Sequence, residues 1–214
     1  ERGPRSRVTG ELVCGPEKLS DEALARNRVD YEPYILAHAL DDAHCRSRSP
    51  DWSAIEVPLL SAANWGGQGL HTRGNFEGFV NAASSQKWLE AHGGSHWESF
   101  YTEDGEKLQK RFFGHFLKGE DNGWSTQPPV ELNVRHPGEK FVMRREKEWP
   151  LARTRWTKFY LDPAQMRLTS AEPDVSTSLP HETQGDGLLF EIELQAPMEI
   201  TGPMAAKLHV SSTT

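Results

Sequence analysis

QKWLEAHGGSHW, residues 86–97, joins a short apolar run at Trp88, Leu89 and Ala91 to an abrupt stop at Gly93-Gly94. The pattern predicts a buried strand that ends in a loop with unusual backbone angles. Loops at the carboxyl ends of such strands carry the chemistry of α/β enzymes. This loop presents His96, and histidine is the side chain whose unperturbed pKa lies nearest neutrality, which suits proton transfer. A histidine of no special role on a surface loop fits the same residues.

Upstream, residues 55–63 (Ile-Glu-Val-Pro-Leu-Leu-Ser-Ala-Ala) read as a second buried strand, entered through Pro58. Residues 64–69 (Asn-Trp-Gly-Gly-Gln-Gly) form the loop at its end. A helix over 72–83 follows, with Phe76, Phe79, Val80 and Ala83 at helical spacing. The strand-helix-strand order, with so long a connection, predicts parallel strands. Residues 103–118 give the strongest helix: Leu108, Phe112, Phe113, Phe116 and Leu117 share a face, and Gly119 ends it. Two parallel strands are too few to receive that face, so further strands of the sheet are expected outside these 214 residues.

Residues 1–18 have little periodicity and read as an irregular connection. Ser20-Asp21-Glu22 caps a short helix through Arg28, and a helix over Pro33–Ala43 carries Ile35, Leu36, Ala39 and Leu40. Asp41-Asp42-Ala43-His44-Cys45 reads as the polar end of that helix, since no second cluster stands at metal-ligand spacing. Beyond Gln127-Pro128-Pro129 the period becomes two. Alternation at 130–134, 141–143, 156–161, 189–194 and 204–210, broken by Pro137-Gly138 and Gly185-Asp186-Gly187, predicts an antiparallel sandwich. The domains expected are therefore 1–54, 55–127 and 128–214.

The formal net charge is −7, from 31 acidic and 24 basic residues, and no Lys/Arg block follows a phosphate backbone, so no nucleic-acid partner is expected. Mean hydropathy is −0.67, yet seven Trp and nine Phe supply large apolar groups. No apolar run approaches the ~18 residues of a membrane span, so no membrane partner is expected. Two cysteines, Cys14 and Cys45, are read as reduced thiols at no zinc spacing, which points toward the cytoplasm without fixing the compartment.

Three stretches together resemble the C-terminal half of the CocE/NonD hydrolases, the family of cocaine esterase and X-Pro dipeptidyl peptidases. They are Val57-Pro58-Leu59-Leu60 running into Asn64-Trp65-Gly66-Gly67; Gly94-Ser95-His96 followed by Arg111 to Gly119; and Pro129–Val134 leading to Glu148-Trp149-Pro150-Leu151-Ala152 and Trp156–Leu161. The resemblance implies a fold that is α/β plus all-β: part of a helical cap, the terminal strands and helices of an α/β-hydrolase core, then an incomplete jelly-roll β-sandwich. It implies a Ser-His-Asp triad acting on a small-molecule ester, amide or peptide, with no cofactor and no metal; an oligomer is compatible with it.

On that resemblance His96 falls at the triad histidine, the base that takes the serine proton. The nucleophile elbow is absent from these residues and is expected upstream. The family's aspartate follows the strand ending at Ala63, where Asn64, Gly66 and Gly67 carry no carboxylate. Glu77 is a substitute acid, or else part of a solvated helix face. Trp65 and Trp97 are candidate substrate-pocket residues, as is Trp124, although core Trp reads equally well. His71 and Arg73 line a substrate mouth or cap the helix start. Gly66-Gly67-Gln68-Gly69 lacks the spacing of a phosphate cradle. The alternative function is a non-catalytic β-sandwich binding module with an α/β appendage. The isolated 214 residues are expected neither to hydrolyse an ester nor to form a stable monomer.

Overall fold

The structure is a computed structural model and describes residues 5–13, 19–67, 69–182 and 184–212. Chain contacts group it into two units, Glu1–Asp51 and Trp52–Thr214.

In the first unit the Ser20 hydroxyl accepts from the Ala23 N–H at 3.2 Å and caps α1 (Asp21–Asn27), with Asp21 and Glu22 in its first turn. The single helix expected over Pro33–Ala43 is instead two, α2 (Tyr31–Ala37) and α3 (Ala43–Ser47). The reason is Asp42. Its carboxylate accepts from the Cys45 N–H at 2.9 Å and pairs with His38 Nδ1 at 2.7 Å, a local alternative to continuing the helix. Asp42 thus starts a helix rather than ending one. The His38 bond, and after it the Cys45 N–H, hold its carboxyl far below the usual range. Cys45 is a free thiol, and Cys14 lies outside the described residues.

The second unit opens with a 3-10 turn at Trp52–Ala54. It continues through β1 (Leu59–Asn64), α4 (Thr72–Asn81), β2 (Lys87–His92), α5 (Glu98–Tyr101) and α6 (Glu103–Lys118). Then come β3 (Val130–His136), β4 (Lys140–Glu146), β5 (Tyr160–Asp162) and β6 (Arg167–Thr169). β1 and β2 are parallel, as the connection required, with Asn64 opposite His92. β3 is parallel to β2 and β4 antiparallel to β3, so the sheet order is β1-β2-β3-β4. The sheet thus runs on across Pro128-Pro129.

Alternation along the strands sorts the two faces. On one face Ala63, Phe79, Leu89, Ala91, Val130 and Leu132 form the buried core, with Trp65, Phe76, Val134 and Trp149 against it. The Trp149 ring meets Phe76 of α4 at 4.6 Å, which seats the Glu148-Trp149-Pro150 step on the α/β part. From the other face of β2, Trp88 meets Phe116 of α6 at 5.6 Å and Trp124 at 5.2 Å. α6 is capped by Thr102, whose side chain accepts from the Gly105 N–H, and ends at left-handed Gly119. Its stripe is narrower than expected, because Phe112 is buried while Phe113 and Leu117 are exposed.

β5 and β6 form a separate two-stranded antiparallel sheet. Residues 189–194 pair with it by the single Arg167–Glu191 bridge among the described residues, and 204–210 carry no strand. Leu189, Ile192, Leu194, Met204, Leu208 and Val210 are exposed there. A strand pattern needs a partner ladder, which the described residues do not provide for these segments.

Candidate active site

Parallel pairing brings the loops after β1 and β2 out at the same end of the sheet. After β1, Trp65–Gly67 makes a 3-10 turn, and the Gly67 carbonyl accepts from both the Leu70 and His71 N–H groups at 3.0 and 2.9 Å. The Thr72 hydroxyl donates to the Asn64 carbonyl at 2.5 Å, fixing where α4 begins.

After β2 the chain turns through Gly93 and Gly94. Gly94 has φ +78, which favours glycine, and a Cβ on Gly93 would lie 2.4 Å from the Phe141 ring of β4. Asn64, buried at the end of β1, ties the two loops. Its Nδ2 donates to the carbonyls of Gly93, Gly94 and Ser95 at 3.4, 3.3 and 3.4 Å. Glu98, opening α5, accepts from the Ser95 N–H and hydroxyl at 3.4 Å each.

The loop so held presents His96 to solvent. Its ring stacks on His71 at 4.8 Å and 22°, and meets the edge of Trp97 at 4.9 Å and 83°. His71, His96 and Trp97 are therefore one cluster, with Trp97 70% exposed. Trp65 is engaged differently: its indole N–H donates to the Asn133 carbonyl at 2.8 Å and its ring stacks on Phe76. Glu77 accepts from Asn81 Nδ2 at 3.0 Å and stands 3.9 Å from Arg73, partners on its own helix. Trp124 is fully buried in the α6 cluster.

A second histidine lies under the loop. His92 Nδ1 and Glu90 Oε2 are 2.8 Å apart, with both side chains almost wholly buried. The bond places a proton between Nδ1 and the carboxylate, and Nε2 is buried without a partner. His92 thus has a carboxylate but little access, whereas His96 has access but, among the described residues, no carboxylate paired with its ring. Spacing could have revealed the pair, because residues two apart on a strand share a face. The role of Asn64 had no local signal, since its three acceptors lie about thirty residues away in the chain.

Residues 122–214 match the family of the X-Pro dipeptidyl-peptidase C-terminal non-catalytic domain. Two solved structures of a CocE/NonD family hydrolase from Staphylococcus aureus are each 38% identical to the chain, with a TM-score of 0.62. The chain is of the CocE/NonD hydrolase type. Each match covers 67% of this chain and 26% of the solved one, so the chain spans about a quarter of that CocE/NonD hydrolase. No curated protein matches it. In this CocE/NonD-type chain the matched non-catalytic domain is not separate from the α/β part: β3 and Trp124, both inside it, pack on β2 and α6. No helix among the described residues is long and apolar enough to cross a membrane.

Proposed function

We propose that the chain supplies the histidine of a serine hydrolase that cleaves a small-molecule ester, amide or peptide, X-Pro dipeptides among them. The observation that carries this is His96: exposed at the carboxyl end of β2, stacked on His71, and facing the turn that follows β1. A hydroxyl brought to Nε2 gives up its proton as the oxygen attacks the acyl carbon, and the imidazolium returns that proton to the leaving group. The chemistry needs no cofactor and no metal. In this reading the serine comes from a segment outside these residues, on a strand-to-helix elbow of the kind such hydrolases use.

In this reading residues 1–54 belong to the end of a helical cap, 55–127 to the last part of an α/β-hydrolase core, and 128–214 to a jelly roll. Trp97 borders the substrate. Trp65, with its indole bonded to Asn133, shapes the wall from behind. Glu77, as acid, would first have to leave Asn81 and Arg73.

The second reading, a non-catalytic binding module, is favoured by one finding: the matched domain is described as non-catalytic. A serine-directed fluorophosphonate separates the two. The complete protein should be labelled, and His96→Ala should lose the labelling with its fold retained. An unlabelled parent would favour the binding module.

A further inference from the structure

The two glycines that end β2 are needed for different reasons. Gly94 has φ +78, which side chains rarely adopt, whereas Gly93 is not left-handed and its backbone would accept an L side chain. What excludes a side chain at 93 is Phe141 of β4: a Cβ there would fall against the end of the ring, 2.6 Å from Cε2 and closer still to Cε1 and Cζ. Phe141 lies inside the matched residues 122–214, opposite Arg135 near the turn of the β3–β4 hairpin. The ladder between β2 and β3 ends at Ala91 and Leu132, two residues short of Gly93. Beyond it the same hairpin meets both site loops through side chains. The Asn133 carbonyl of β3 accepts from the Trp65 indole in the turn after β1, and the Phe141 ring of β4 abuts Gly93 in the loop after β2.

We propose that Phe141 is a positioning residue for His96: its ring, seated in the space that a side chain at 93 would take, is the stop against which the histidine loop rests. This rests on reading His96 as the base. In the sheet order β1-β2-β3-β4 the strands β1 and β4 stand on opposite sides of β2. Asn64 therefore draws the loop from the β1 side, through the carbonyls of Gly93, Gly94 and Ser95, and Phe141 meets it from the β4 side. The Asn64 bonds, at 3.3–3.4 Å, are long and tolerate a small shift, whereas repulsion between a ring and a backbone atom rises steeply with overlap. His96 follows Gly93 by three residues and takes its place over His71 from there. A misplacement of about 1 Å can cost on the order of a hundredfold in rate. A domain described as non-catalytic thus sets the geometry of the base, acting through the loop backbone rather than on the reacting atoms.

The test compares Phe141→Ala, Gly93→Ala and the double variant in the complete protein, by kcat and KM on an activated ester, thermal melts, and amide exchange at Ser95 and His96. Each single change should lower kcat by about 10- to 100-fold, since one removes the stop and the other drives the loop off it. KM should hold nearly constant, because the change acts on the base and not on substrate binding. In the double variant the new Cβ enters the space the ring leaves, so kcat should recover by about tenfold over Gly93→Ala. Met143→Ala, two residues along the same face of β4, should keep the parental kcat. Losses that simply multiply in the double variant would overturn the proposal, as would an equal loss in Met143→Ala or a folded Phe141→Ala with parental kcat and unchanged exchange. Should Phe141→Ala not fold, Phe141→Leu keeps part of the stop and should show the same fall in smaller degree, with the parental kcat and unchanged exchange again counting against the proposal. Exchange that quickens at Ser95 and His96 while kcat holds would uphold the seat and sink His96 as the base.

Discussion

Asn64 carries the alignment of the two site loops, and its replacement has a size that the geometry sets. Two N–H groups are shared among three carbonyls at 3.3–3.4 Å, so each bond is long. An ordinary hydrogen bond is worth about 0.5–1.5 kcal/mol net, which puts the set at about 1–2 kcal/mol. If that energy holds the loop where His96 works, Asn64→Leu should lower kcat/KM by about 5- to 30-fold, at ~1.4 kcal/mol per tenfold. Stability should fall less than activity, because Leu also removes the buried Oδ1, which has no partner. Asn64→Asp should be worse, by on the order of a hundredfold, since it loses the donors and sets a carboxylate against carbonyl oxygens. The assay is steady-state hydrolysis by the complete protein, with thermal melts to confirm folding. A folded Asn64→Leu within twofold of the parent would refute the clamp. A gain of activity in Asn64→Asp would contradict the clamp outright.

Two more outcomes follow from packing and charge. Trp124→Ala should cost about 3–5 kcal/mol in urea unfolding, because it opens the cluster with Trp88, Phe112 and Phe116. Trp124→Phe should cost far less, as it removes an indole N–H buried without a partner. In the first unit the folded-state pKa of Asp42 is depressed, so its contribution to stability is complete above the unfolded carboxyl value of ~3.9 and fades as pH falls below it. Amide exchange at Cys45, whose N–H it accepts, should show this loss of protection on acidification in the parent and not in Asp42→Ala.

The strand-helix-strand unit was legible because its two periods, 2 and 3.6, alternate cleanly and its connection is long enough to reverse the chain twice. α6 was legible from its apolar stripe and Gly119, though not that Phe113 and Leu117 stay exposed, since the stripe says nothing of how much sheet lies beneath it. The break after α2 was hidden because the pattern at Ile35, Leu36, Ala39 and Leu40 continues through a point where one side chain, Asp42, outcompetes the backbone. The union of β3 with β2 was hidden for another reason: alternation at Val130, Leu132 and Val134 names a strand and a face, never a partner. The same limit applies to 189–194 and 204–210. At the site, His96 stood out by its glycine pair, whereas the Asn64 clamp exists only once two distant loops meet.

The most direct measurement is kcat/KM of the complete protein and its His96→Ala variant on an activated ester, with circular dichroism to show both folded. The account predicts a fall of about three or more powers of ten, as for removal of a triad base. A folded variant within tenfold of the parent would contradict it.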